Sequence, residues 1–181
     1  QTLGAISITG ILDLNAAITN ATSLSVSSTS NLGANVTTSS TQTYSGAVTL
    51  STDVTLTTTD SNITFSSTID SDGTARDLTI DMDNSGVGAD GTVQFANTVG
   101  ANDDLDVIDI TGNLNLDAAI SNTTSLEVSG TSNLGADVTT SSTQTYTSGV
   151  TLSGADRTLT ASIVNFVDTL AGGTNGLTIT G

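Results

Sequence analysis

Residues 6–44 read ISITGILDLNAAITNATSLSVSSTSNLGANVTTSSTQTY, and residues 108–146 read IDITGNLNLDAAISNTTSLEVSGTSNLGADVTTSSTQTY. The stretches align without a gap at an offset of 102, and 30 of their 39 positions are identical. After a one-residue insertion near Gly154 the correspondence continues more loosely to the C-terminus. The chain therefore divides into a first module, residues 1–102, and a second, incomplete one, residues 103–181, stacked on it as one continuous rod. Self-similarity at a fixed spacing marks arrays in which each unit buries its apolar face against the next. Arrays supply length and surface, which favours a structural protein over an enzyme.

Inside each copy the apolar residues alternate with polar ones in short runs such as SLSV (23–26), AVTL (47–50), VIDI (107–110) and SLEV (125–128). Alternation is the period of a half-buried strand, and the Gly, Asn, Asp and Ser clusters between the runs read as turns. A finer unit recurs five times: an apolar residue, another four later, a polar turn, then an apolar pair two apart. Its instances are Leu14/Ile18/Leu24/Val26, Phe65/Ile69/Leu78/Ile80, Phe95/Val99/Ile108/Ile110, Leu116/Ile120/Leu126/Val128 and Phe166/Leu170/Leu177/Ile179. The four-residue step breaks the alternation and predicts a bend, while the pair two apart faces one way.

Each instance reads as part of one rung of an all-β, parallel β-solenoid (β-helix) with two or three faces. About seven rungs at ~4.8 Å each make a rod ~34 Å long. The competing architecture is a tandem array of β-sandwich repeats, which a spacing near 100 residues also suits. A sandwich needs aromatics between its sheets, and only Tyr44, Tyr146, Phe65, Phe95 and Phe166 are available. Of the nine positions that differ between copies, only Ile11, which becomes Asn113, loses a large apolar group. Every position assigned to the interior is unchanged.

Composition agrees. Thr (37) and Ser (24) make up a third of the chain, and Pro, Cys, Lys, His and Trp are missing. Thr, Val and Ile suit a pleated surface, and strong helix formers are scarce. Seventeen Asp and one Glu against Arg76 and Arg157 give a net charge of −16. That charge disfavours nucleic acid and anionic lipid as partners. No run approaches the ~20 apolar residues of a membrane-spanning helix. Without His or Cys, the Ser–His and Cys–His nucleophile pairs and the usual zinc sites are unavailable.

Ten acids crowd residues 70–109: Asp70, Asp72, Asp77, Asp81, Asp83, Asp90, Asp103, Asp104, Asp106 and Asp109. Asp81-Met82-Asp83-Asn84-Ser85-Gly86 has the opening of a calcium loop, so Asp81, Asp83 and Ser85 are the candidate calcium ligands. The twelfth place is Thr92 rather than the bidentate Glu of the full motif. Asp70-Ser71-Asp72-Gly73 is a shorter candidate, and solvated turns explain both equally. Paired carboxylates also raise polysaccharide cleavage. A lyase would further need a cation to neutralise its substrate, and two isolated arginines argue against that. Asn31 and Asn133 invite an amide-ladder reading beside that of ordinary turn residues, as do Gln42 and Gln144. Sequons at Asn20, Asn35, Asn62 and Asn122 fit an exposed secreted surface. The pairs Thr41/Thr43, Thr55/Thr57 and Thr143/Thr145 raise ice binding, for which they would have to align in consecutive rungs.

TQTYSGAVTL (41–50) and TQTYTSGVTL (143–152), each followed by DxTLT, resemble the repeats of very large bacterial surface proteins, as do NLGANVTTSS, GLTITG and the FSSTI and FANTV runs. These are the filamentous-haemagglutinin-like adhesins and related β-strand-repeat proteins. The resemblance implies a secreted β-helical shaft at the cell surface, acting in adhesion or biofilm. The expectation is an extracellular, non-catalytic rod, needing no cofactor save possible calcium, either an adhesin shaft or a fibre subunit that self-associates end to end. A glycan or cell-surface receptor is the expected outside partner. A glycan-binding or ice-binding face is the alternative, and a polysaccharide-degrading enzyme a remote one.

Overall fold

The computed structural model describes residues 3–83 and 90–181. Its first nine strands begin at a regular six-residue beat: Ile6–Ile8, Leu12–Leu14, Ile18–Ala21, Leu24–Val26, Ser30–Leu32, Val36–Thr38, Gln42–Tyr44, Val48–Leu50 and Val54–Thr57. Each strand pairs in parallel with the one three places on. A regular turn is therefore the step from Ile6 to Leu24, which oppose each other, or from Leu24 to Gln42. The chain thus winds into a β-solenoid, as the alternation predicts, and of the two or three faces expected it has three. The sandwich alternative fails, because every pairing among the described residues is parallel and sandwiches are built from antiparallel sheets.

The six-residue beat has a simple cause. Leu12 and Leu14, two apart, point inward, and the Asn15–Ala17 segment turns a corner before Ile18 begins the next strand. The four-residue step read from the sequence is that corner. At Gly33 the corner is so tight that a Cβ would stand 2.8 Å from the Leu14 carbonyl oxygen; at its counterpart Gly135 the distance to the Leu116 oxygen is 2.6 Å. Asn20 and Asn122, also counterparts, take left-handed φ angles of 59° and 49°, which Asn tolerates better than most residues. Each lies where the pairing register shifts, between Ile18 and Ala21 and between Ile120 and Thr123.

The first face stacks Ile6, Leu24, Gln42, Ile63, Val93, Leu114, Ser132, Val150 and Leu170, eight turns from end to end. The second runs through Leu12, Ser30, Val48, Ile69, Val99, Ile120, Val138, Leu159 and Ile179. The third carries Ile18, Val36, Leu56, Ile80, Ile110, Val128, Tyr146 and Phe166. Eight turns is one more than the seven read from the sequence. Longer corners widen the middle turns, so the step from Gln42 to Ile63 exceeds a regular turn and that from Ile63 to Val93 exceeds it further. The ladders pass unbroken through residue 102, where Leu78 opposes Ile108 and Val99 opposes Ile120.

The duplicated segments do not lie on the same faces. Ile6 stands on the first face and its counterpart Ile108 on the third, because fourteen strand positions separate them and fourteen is not a multiple of three. The second copy is the first turned by one face about the rod axis.

The interior is one continuous apolar column. Tyr44, Phe65 and Phe95 stack along the first face at ring separations of 5.1 and 5.6 Å, and Tyr146 and Phe166 along the third at 5.4 Å. Both Gln of the TQTY segments lie on strands and point inward between apolar neighbours, so they are neither turn residues nor members of a stacked amide ladder. Gln42 Nε2 donates to the carbonyls of Val36 and Thr57, at 3.2 and 2.9 Å, and Tyr44 Oη donates to Gln42 Oε1 at 3.0 Å. Gln144 repeats this with Val138, Thr160 and Tyr146. These bonds answer both ends of an otherwise costly buried amide.

Burial pushes both phenol pKa values up. The folded chain therefore holds its tyrosines neutral where the unfolded chain ionises them, above about pH 10. Stability is expected to be unaffected by these groups below that pH and to fall steadily above it; denaturant melts from pH 8 to 11.5, with a Tyr44→Phe/Tyr146→Phe variant showing a shallower decline, check this. Phe65→Ala, at the centre of the aromatic stack, is expected to cost ~3–5 kcal/mol in urea unfolding, whereas an outward Thr64→Ala should cost under ~1 kcal/mol.

Candidate functional site

Side chains between the inward pairs form outward columns, and these columns are the surface on which the chain can act. On the first face the column reads Ser7, Ser25, Thr43, Thr64, Gln94, Asn115, Asn133 and Thr151. On the third it reads Thr55, Thr79, Asp109, Glu127, Thr145 and Asn165. Charge is unevenly spread along the axis. Residues 1–52 contain one charged side chain, Asp13; residues 53–127 contain fourteen acids and Arg76; residues 128–181 contain three Asp and Arg157.

Many of these acids serve the backbone. Where the chain enters a strand from a corner, an N–H of the next turn lacks a ladder partner, and a side-chain oxygen of the turn before accepts it. Asn35 Oδ1 accepts from Thr55 N–H at 2.9 Å, Asp53 from Asp77 at 3.1 Å, and Asp77 from Val107 at 3.1 Å. Asp137, the counterpart of Asn35, accepts from Thr158 at 2.9 Å, and Asp156 accepts from Gly176 at 2.6 Å. This is the logic of a helix N-cap transferred to a solenoid corner. Asn or Asp just before a strand was the available signal, and it reads from sequence only as a turn.

The candidate calcium ligands fall at the edge of the described residues. Asp81 ends the strand Arg76–Asp81, points outward between Thr57 and Thr111, and accepts the N–H of Asp83 at 3.3 Å. Ser85 lies outside the described residues. Among those described, no three acidic side chains converge to hold a metal ion. In the shorter candidate, Asp70 accepts from Asn102 through N–H and Nδ2, each at 2.9 Å, and Asp72 pairs with Arg76 at 2.9 Å. The guanidinium holds the Asp72 carboxyl below its usual pKa, so this tie is present at neutral pH and is lost as acid passes below the ordinary carboxylate range.

The other readings also find places. Asn31 and Asn133 sit outward on strands rather than in turns, Asn31 Nδ2 donating to Asp13 at 3.0 Å and Asn133 Nδ2 to Asn115 at 2.7 Å. The Thr pairs do not align with one another: Thr57 is followed on its column by Asp81, and Thr145 is preceded by Glu127. Thr158 and Thr160 do stack beneath Thr178 and Thr180, in the last two turns. Four of the aromatic rings are buried and Phe166 is half-buried, so none offers the flat exposed platform a sugar ring stacks on. A groove of about 310 Å³ lies between the second and third faces. Ala75, Asp104 and Leu105 wall it, and Thr124, Thr139 and Ser141 supply hydroxyls.

Comparison with protein-family models, with curated proteins and with solved structures found no match to this chain.

On the third face Asp109 and Glu127 are direct neighbours in register, where the first copy has Ser7 beside Ser25. Like charges so placed oppose each other. Glu127→Ser, the residue of the first copy, is expected to stabilise the rod by ~0.2–1 kcal/mol. The gain should shrink in high salt; a urea midpoint that does not move, or that falls, would reject the repulsion.

Proposed function

We propose that this chain is a non-catalytic, extracellular structural solenoid that serves as a shaft segment of a surface adhesin. The observation that carries the reading is the unbroken parallel ladder over eight turns around one apolar column. A chain so built is stiff along its axis, and each added turn lengthens it by ~4.8 Å without altering its neighbours. The outward Ser, Thr, Asn and Asp keep the sides wet, and the acids at the corners are occupied in holding the next turn. The surface location and the adhesive setting rest on the resemblance of the TQTY and NLGA segments to adhesin repeats.

The test has two parts. Antibody raised against the folded rod is expected to label intact producing cells, and labelling that needs permeabilisation would sink the extracellular reading. Deleting residues 24–41, one regular turn, is expected to leave a folded rod shorter by ~4.8 Å in small-angle scattering. A deletion that abolishes folding would mean the turns are not the additive units a shaft requires.

A further inference from the structure

Well inside the rod, with turns above and below, the second and third faces part to form the groove of about 310 Å³. Its floor follows one ladder: Arg76 opposes Leu105, Leu105 opposes Thr123, and Thr123 opposes Thr140. Three such steps run ~14 Å along the axis. Two register shifts border it. The chain takes three steps from Leu105 to Ile108 where its neighbour takes two from Arg76 to Leu78, and three from Ile120 to Thr123 against two from Val138 to Thr140. Asn122 adopts its left-handed φ of 49° at the second shift. An extra residue in a strand re-aims the side chains around it, and here two of them fall where the faces separate.

The groove joins an apolar floor to a polar rim. Leu105 is buried at the floor, and Ala75 adds a methyl group. The buried hydroxyls of Thr123 and Thr140 are engaged, donating to the carbonyls of Ser121 and Thr143. Those at the rim are not. Among the described residues the Thr124, Thr139 and Ser141 hydroxyls and the Asp104 carboxylate have no hydrogen-bond or ion-pair partner. Arg76, the nearest cation in sequence, is held by Asp72, so nothing positive lines the walls. A ligand that suits them carries several hydroxyl groups around a small apolar patch. It also lacks negative charge, because Asp104 and the adjoining Asp103 and Asp106 repel anions. A peptide strand is a poorer match, since the backbone at the floor is already paired on both sides. We propose that the groove binds an uncharged sugar unit of a linear glycan lying along the rod axis.

Each part of the groove then has a task. The Asp104 carboxylate accepts from two adjacent hydroxyls of the sugar, and bonds to an ionised acceptor are the stronger kind. Thr124, Thr139 and Ser141 each offer one donor and two acceptor positions, which suits groups that are themselves both donors and acceptors. The C–H face of the ring rests on Leu105 and Ala75. No aromatic ring stands over the groove, so a single site holds its sugar weakly, and firm attachment comes from many rods engaging one polymer.

Saturation-transfer NMR and calorimetric titration of residues 1–181 with maltotriose, cellotriose, mannotriose and trigalacturonate test the site. The expected result is transfer to at least one of the three neutral sugars and none to the anionic one. Thr139→Val, close in shape and lacking the hydroxyl, should weaken that binding about three- to tenfold with an unchanged melting profile. Asp104→Asn should weaken it about tenfold or more. Thr43→Val on the first face and Asp109→Asn on the third should leave it as it was. Failure of all three neutral sugars to bind, or binding that neither groove variant alters, would overturn the site. Equal binding of trigalacturonate would overturn the selection by charge on which the proposal stands. None of these outcomes touches the shaft reading, which the turn deletion and the surface labelling test separately.

Discussion

A parallel ladder can continue only if each turn of chain returns a strand to the place directly above its predecessor, in register and with the same residues facing in. The rest of this structure depends on that constraint. It accounts for the six-residue beat, for the retention of apolar pairs two apart, and for the small or polar residues at most corners. A one-residue slip would carry an entire inward pair to the solvent side, and the inward pairs such as Leu12/Leu14 and Leu24/Val26 are the same in both copies. Corners are freer. They lengthen in the middle turns, most of all between Ile63 and Val93, because a loop that leaves and re-enters at the same corner does not disturb the register.

The price of corners is a set of backbone N–H groups that the ladder no longer serves. Asn35, Asp53, Asp77, Asp137 and Asp156 meet it by reaching up to the following turn. Part of the acidity of the chain is thus structural, a by-product of using short side-chain acceptors beside strands. The aromatic stacks and the buried Gln–Tyr pairs perform the complementary task inside. They fill the interior column and satisfy every polar atom they bring with them.

Much of the fold was legible because burial leaves a periodic trace. Leu14, Ile18, Leu24 and Val26 announce a strand, a bend and another strand, and the repeat at 102 announces stacking. The six-residue unit was harder to see, since Ser30, Gln42, Ser132 and Gln144 occupy inward positions that apolar counting skips. TQTY reads as a polar segment; only the three-dimensional placement of Thr57 O and Thr160 O shows how an amide is tolerated there. The acids were legible as a cluster and not as corner acceptors. Their partners lie a whole turn further along the chain, as Asp77 does from Asp53 and Val107 from Asp77, at separations set by corner length. Asp81 and Asp83 keep the local turn their spacing suggests, which by itself assigns no ion.

The one-face offset between the copies gives the duplicated surface a bearing as well as a height. Asn31 and Asn133, or Gly33 and Gly135, share their chemistry but look out from directions a third of the circumference apart. A flat target, such as a membrane or a sheet of matrix, can therefore touch only one copy at a time and gains no avidity from the repetition. A partner that coils around the rod meets both in succession. Duplication along this axis writes the same word around a barber's pole, legible only to a reader that winds.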